Sequence, residues 1–274
     1  MSSSTGPLKL DPKSAALYRS ALAALEASGI PYLVGGAYAL ERYCGIERHT
    51  KDFDVFVRER DCPALLGFLE ERGFHAEVVF THWLAKVRQN AGDEDFIDII
   101  FGSGNGIARV DDEWFDHAVD AEVLGQKVKL CPAEEIVWSK MYIMERERFD
   151  GADVLHLIRA RGPRFDWRRL MRRMAPHGVL LLTYVVLYDF VYPDDRGVIP
   201  AWVVEELVAR WRRGRVAPPS DEPRCNGTIL SRIQYLPEIR RWNLRDGRVY
   251  PITYMSDEQI EHWTEVVPDQ QIPT

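Results

Sequence analysis

Residues Pro31 to Val57 read PYLVGGAYALERYCGIERHTKDFDVFV, and the fold turns on how this stretch is parsed. A short apolar strand ends in Gly35-Gly36, a helix-like segment follows, and a second apolar strand opens with Asp52 and Asp54. In a strand, residues i and i+2 share a face, so the two carboxylates project together while Phe53, Val55 and Val57 face the other way. Two carboxylates side by side repel unless a cation lies between them or one is protonated. Such a pair at the lip of an apolar strand is either a metal site or an accident of composition.

Working outward, Asp11 to Ser28 reads as an amphipathic helix before this stretch, behind a lead-in of ten residues without apolar patterning. Pro63 to Arg72 reads as a helix after it. Three strand-like segments follow, His75–Phe80, Trp83–Arg88 and Phe96–Phe101, with Asn90-Ala91-Gly92-Asp93 as a turn signal. Asp98 is the single charge inside FIDIIF, and a lone carboxylate there is costly to bury unless paired, hydrogen-bonded or bound to a cation. Gly102 to Asp112 reads as a loop and Ala121–Leu130 as a hairpin around Leu124-Gly125-Gln126. Pro132 starts a helix over PAEEIVWSKMYIMERERF. Four further helices are expected over Ala152–Arg161, Trp167–Met174, Val179–Tyr192 and Ala201–Arg213, with one more helical piece over Thr228–Asn243. The expected class is α/β (α+β): a mixed-sheet core over 1–130, a helical domain over 131–215 and a C-terminal extension over 216–274.

Strand, Gly-Gly, helix, strand with Asp-x-Asp, and a later strand with a third Asp: this order resembles the DNA polymerase β-like nucleotidyltransferase superfamily. The residues that carry the resemblance are Gly35, Gly36, Asp52, Asp54 and Asp98, with the phrase Arg48-His49-Thr50-Lys51 leading into the acidic strand. It spans roughly the first 160 residues, and the gap from Gly36 to Asp52 is slightly longer than the commonest family spacing. The resemblance implies that Asp52, Asp54 and Asp98 are catalytic and ligate metal, with Asp98 beside the acceptor. It also implies that Gly35 and Gly36 meet the triphosphate. Two Mg²⁺ ions, or Mn²⁺, would be the cofactor, since hard ions take carboxylate and phosphate oxygens and nucleotidyl transfer needs charge neutralisation and in-line positioning.

Lys51 and Lys140 complete the expected nucleotide contacts. Lys140 precedes Arg148, Asp150 and Asp153 in a pattern that resembles the Lys-then-Arg-x-x-Asp region of small bacterial nucleotidyltransferases. These residues serve either the substrate or packing, and Asp150 and Asp153 could equally cap the next helix. The implied activity is transfer of a nucleoside monophosphate from an NTP, ATP among them, to a small molecule, an RNA end or a protein, releasing pyrophosphate. Two rivals are a non-catalytic binding or regulatory module of a toxin–antitoxin type and a metal-dependent phosphodiester hydrolase.

Composition is that of an ordinary soluble globular protein and narrows little else. Hydrophobic residues make up 46% and charged residues 28% of the 274, with a net charge of −7. Residues 1–130 carry 14 basic and 21 acidic side chains, and residues 131–274 carry 21 of each. That balance excludes a nucleic-acid coat protein. The Arg-rich run over 159–173 reads as a solvated helical surface. Four scattered cysteines and seven scattered histidines show no ligand spacing. The apolar run Gly178–Val191 is short and interrupted by Asp189, so no membrane partner and a cytoplasmic location are expected.

Overall fold

The computed structural model describes residues 11–46, 52–218, 220–249 and 252–265. Lys51, the Arg48–Thr50 approach to the acidic strand and the ends of the chain therefore lie outside the described residues. The chain divides into two compact units, Met1–Phe101 with Arg109–Pro132, and Gly102–Ala108 with Ala133–Thr274.

The first unit is a mixed seven-stranded sheet with helices. Helix α1 (Pro12–Ser28) leads into β1 (Leu33–Val34), α2 (Gly36–Cys44), β2 (Asp52–Phe56) and α3 (Cys62–Glu71). Strands β3 (His75–Phe80), β4 (Leu84–Arg88) and β5 (Phe96–Ile100) follow, then α4 (Asp112–Asp116), β6 (Val119–Val123) and β7 (Gln126–Leu130). Strand order across the sheet is β3-β4-β5-β2-β1-β7-β6. The β5–β2 and β1–β7 pairs are parallel and the others antiparallel, which makes the sheet mixed as expected.

Period-two patterning decides which face is which. Phe53, Val55 and Val57 are fully buried, as are Ile97 and Ile99 on β5 to within 1%. On that face Tyr18 of α1 stacks on Phe53 at 5.0 Å between ring centroids, and Tyr38 of α2 meets the same ring edge-on at 4.9 Å. The alternate residues of β2 and β5, including all three expected acids, lie on the opposite face. The β6–β7 hairpin turns through Leu124 and Gly125, both at positive φ (52° and 81°), as a two-residue loop that matches strand twist requires.

The second unit is mainly helical: α5 (Ala133–Lys140), α6 (Gly151–Arg161), α7 (Trp167–Arg173), α8 (Gly178–Val191) and α9 (Ala201–Val216). After these come β8 (Arg224–Cys225), α10 (Gly227–Leu230), α11 (Leu236–Arg240), β9 (Arg245–Asp246) and α12 (Asp257–Glu265). The helix expected from Pro132 to Phe149 stops at Lys140. Beyond it the backbone N–H groups leave the helical pattern: Met144 donates to the distant Leu230 O, while Glu145 donates to Arg148 O and Asp150 to Ile143 O in a local turn. The expected helical piece over Thr228–Asn243 is likewise broken into α10 and α11. There Ser231 donates through its hydroxyl to the Glu145 carboxylate at 2.5 Å.

Ion pairs organise this unit. Arg169 is buried against Glu135 (3.1 Å) and Glu134 (2.9 Å), and Arg248 grips Asp246 at 2.7 Å while donating to Thr264. Within the Arg-rich run over 159–173, Arg169 is thus an internal side chain, whereas Arg168 and Arg172 are exposed. Among the described residues no single helix is long and apolar enough to cross a membrane, and the one bent pair that passes by composition, Trp167–Arg173 with Ala175–Val191, breaks by 78°.

Lys140 closes the tightest of these clusters. Its ammonium lies 2.5 Å from Asp150 Oδ2 and 3.0 Å from Asp153 Oδ2, and Arg148 adds a 2.9 Å bond to Asp150 Oδ1. Arg148 and Lys140 hold the Asp150 carboxyl below the usual range against the opposing effect of burial, which is the largest single influence. Removing one partner of a buried charge cluster strands the others, at roughly 3–5 kcal/mol. Lys140→Met is therefore expected to lower the unfolding free energy by about that amount in denaturant titrations; a lysine serving only to touch a ligand would leave the transition where it was.

Candidate functional site

Register alone assembles the acidic face. β2 and β5 run parallel with Asp52 opposite Phe96 and Asp54 opposite Asp98. β4 lies antiparallel on the far side of β5, with Lys86 opposite Asp98, and β3 places Glu77 opposite Lys86. One row across four strands therefore reads Glu77, Lys86, Asp98, Asp54, and the next row along reads His75, Arg88, Phe96, Asp52. The three acids expected from sequence share one face of neighbouring strands. Asp52 is exposed, while Asp54 and Asp98 are half-buried.

The first glycine pair is built into the same place. Gly35 donates its N–H to Asp54 O at 3.0 Å and precedes α2, whose first residue, Gly36, sits at φ +55°. A Cβ on Gly36 would come within 1.7 Å of Asp54 Oδ2, and one on Gly35 within 2.3 Å of the Phe56 ring. Gly36 is thus required twice, by its backbone conformation and by the carboxylate pressed against it. The backbone at the start of α2 and the Asp54 side chain occupy one small space, which is where a helix N-terminus meets anionic oxygens.

Burial pushes the Asp98 carboxyl upward, and the neighbouring Asp52 charge pushes the same way, while Lys86 and Arg88 pull it down. Lys86 Nζ lies 3.3 Å from Asp98 Oδ1 and 3.2 Å from the centroid of the Phe96 ring. Arg88 pairs with Glu77 at 3.2 Å. Beneath the site, Tyr18 is fully buried, and burial with the added influence of Asp95, Asp52, Asp54 and Asp98 pushes its hydroxyl up to about 12. The phenol therefore stays neutral under the acids.

The resemblance implies a divalent metal. Among the described residues, no three His, Cys, Asp or Glu side chains are grouped as a ready metal cage. The donor chemistry of Asp52 and Asp54 fits a hard cation all the same: two carboxylates two residues apart on one strand face, open to solvent at Asp52 and closed by glycine backbone at Asp54. Asp98 is the adjacent carboxylate in the row and already faces an ammonium.

Of the other expected contacts, Gly35 and Gly36 lie beside Asp54, Lys51 is outside the described residues, and Lys140 belongs to the second unit, engaged by Asp150 and Asp153. Asp150 stands at the start of α6 without a capping bond from its side chain, since its oxygens go to Lys140 and Arg148. Sequence reading passed over Lys86. The signal for it was its position: in an antiparallel pair with Phe96–Phe101, a basic residue at 86 falls opposite Asp98.

No curated protein sequence matches the chain. Among solved structures, the lincosamide antibiotic adenylyltransferase LnuA with lincomycin bound aligns at 15% identity and TM-score 0.38, over 54% of this chain and 96% of its own. The antibiotic-resistance factor ANT(2'')-Ia aligns at 20% identity and TM-score 0.38, over 75% of this chain and 95% of its own. An antigenic nucleotidyltransferase-like protein from Paracoccidioides brasiliensis aligns at 17% identity and TM-score 0.41, over 70% of this chain and 94% of its own. Likeness at this level carries no argument about substrate. The family model described as "Nucleotidyl transferase of unknown function (DUF2204)" matches residues 14–178, more than half of the chain, a span that takes in Gly35, Gly36, Asp52, Asp54 and Asp98. The chain belongs to that nucleotidyl transferase family.

Proposed function

We propose that the chain is a divalent-metal-dependent enzyme that moves a nucleoside monophosphate from an NTP, ATP included, to an acceptor oxygen and releases pyrophosphate. One observation carries this reading: Asp52, Asp54 and Asp98 share one face of two strands paired in register, with Gly36 backbone packed against the Asp54 carboxylate. In the reaction, an acceptor hydroxyl or phosphate oxygen bonds to the α-phosphorus as the bond from that phosphorus to the bridging oxygen breaks, and a hydroxyl acceptor gives up its proton. A bound Mg²⁺ or Mn²⁺ supplies neutralisation of the charge that develops on the phosphate oxygens.

The remaining roles fall to side chains and backbone of this chain. Asp52 and Asp54 hold the ion. Gly35 and Gly36 let the start of α2 approach the triphosphate, whose negative charge suits the exposed N–H groups of a helix start. The resemblance assigns further nucleotide contacts to Lys51 and Lys140, and the charge of Lys140 is already claimed by two carboxylates. Asp98, the third acid of the row, stands next to Asp54 where it can take the proton of a hydroxyl acceptor. The acceptor classes open to such a site are a small molecule, an RNA end or a protein side chain.

Incubating the full chain with each NTP, Mg²⁺ or Mn²⁺ and acceptor pools should give pyrophosphate and a labelled product. Asp52→Asn and Asp54→Asn are each expected to reduce that release by at least about a thousandfold, the scale of losing a principal electrostatic element of a phosphoryl-transfer site. Pyrophosphate release that survives both substitutions, or hydrolysis of nucleic acid without pyrophosphate, would move the chain out of this reaction class.

Gly36→Ala tests whether the Asp54 carboxylate must keep its place against the start of α2. Its Cβ displaces the Asp54 carboxylate, so nucleotide-dependent activity should fall by about a hundredfold or more, as for an ångström-scale misplacement at a reacting centre. Far-UV circular dichroism should show the fold retained. Unchanged activity in this variant would show that Asp54 does not need its present rotamer.

A further inference from the structure

The row Glu77, Lys86, Asp98, Asp54 contains a cation supplied by the chain itself. Three features place the Lys86 ammonium at Asp98. The β4–β5 register sets the two residues directly opposite each other. The ammonium lies 3.3 Å from Asp98 Oδ1. It also lies 3.2 Å from the Phe96 ring centroid, over the face of an aromatic ring on the same strand as Asp98, two residues away. The side chain is mostly covered, at 21% exposure, so its amine is held at the site instead of extending into water. Arg88, the other cation on this face of β4, is turned to Glu77, which leaves Lys86 as the partner of Asp98.

Cations compete for the same carboxylate. An ammonium within a few ångströms of a bound divalent ion repels it by much more than a factor of ten in affinity, even at the effective dielectric of a partly exposed protein site. We propose that Lys86 is a positioning residue that takes the place of one divalent ion at Asp98, so that the site works with a single metal held by Asp52 and Asp54 where the superfamily resemblance implies two. The inference rests on the nucleotidyl-transfer reading of the same face. It also gives Asp98 a fixed orientation: the carboxylate is tied to β4 through Lys86, and not to the ion on β2.

Metal stoichiometry tests this without reference to turnover. Mn²⁺ is titrated into the full chain with a non-hydrolysable NTP analogue, and free Mn²⁺ is followed by electron paramagnetic resonance. The wild-type chain is expected to take up one Mn²⁺ tightly, with any second ion at least about tenfold weaker. Lys86→Met, which keeps the stem over Phe96 but removes the charge, should take up two; Lys86→Arg should restore one. Two equally tight ions in the wild-type chain overturn the proposal, and so does a single ion in a folded Lys86→Met variant. The wild-type count stands by itself if that variant fails to fold. Mn²⁺ uptake that is indifferent to Asp52→Asn and Asp54→Asn would sink the nucleotidyl-transfer reading itself, a result distinct from two ions that both depend on those acids.

Discussion

Parallel pairing of β2 with β5 is the constraint from which the site follows. It sets Asp54 beside Asp98 and Asp52 one row further along, so three negative side chains share a small area of one sheet face. Like charges on neighbouring strands destabilise a sheet, by up to about 1 kcal/mol for an exposed pair and more when partly buried. The opposite face offsets that cost. Phe53, Val55, Val57, Ile97 and Ile99 are buried there, with Tyr18 of α1 and Tyr38 of α2 packed on Phe53, and burying each large apolar side chain is worth about 1.5–3 kcal/mol. An apolar layer thus keeps the two strands in the one register that brings the acids together, because a slip of a single residue would turn every acid inward.

Gly36 tightens the same geometry from above. Its positive φ and the Asp54 carboxylate within what would be Cβ distance make the start of α2 and the acidic strand a single construction. A side chain at 36 would have to push the Asp54 carboxylate aside. A loose glycine turn is easily replaced; a glycine with a carboxylate pressed against it is not.

Much of this was legible in the chain because period and punctuation carried it. The alternation through DFDVF and FIDII marks both buried faces, the Gly-Gly before α2 marks the approach to Asp54, and Leu124-Gly125 marks the hairpin. Sheet order was not legible, since nothing local in the Phe96–Ile100 strand says that it pairs with β2 on one side and β4 on the other. Lys86 was missed for that reason: its pairing with Asp98 exists only across strands. The helix after Pro132 was overextended because MYIMERERF keeps good helical propensity. The tertiary bond from Met144 to Leu230 and the local turn closed by Glu145 and Asp150 override that propensity, which is worth only tenths of a kcal/mol per residue.

The charges of the sheet face can be read as a sequence across strands. Glu77 is met by Arg88, Asp98 is met by Lys86, and β2 brings two acids two residues apart. Among the described residues, the cations that meet Glu77 and Asp98 on this face, Arg88 and Lys86, both come from β4. A triphosphate, itself strongly anionic, would be repelled by such an edge unless a divalent ion bridged the two. On the proposed reading, nucleotide and metal would arrive together as one neutralising pair at Asp52 and Asp54. On the same reading Asp98, ion-paired with Lys86 from β4, would be the acid left for the acceptor side.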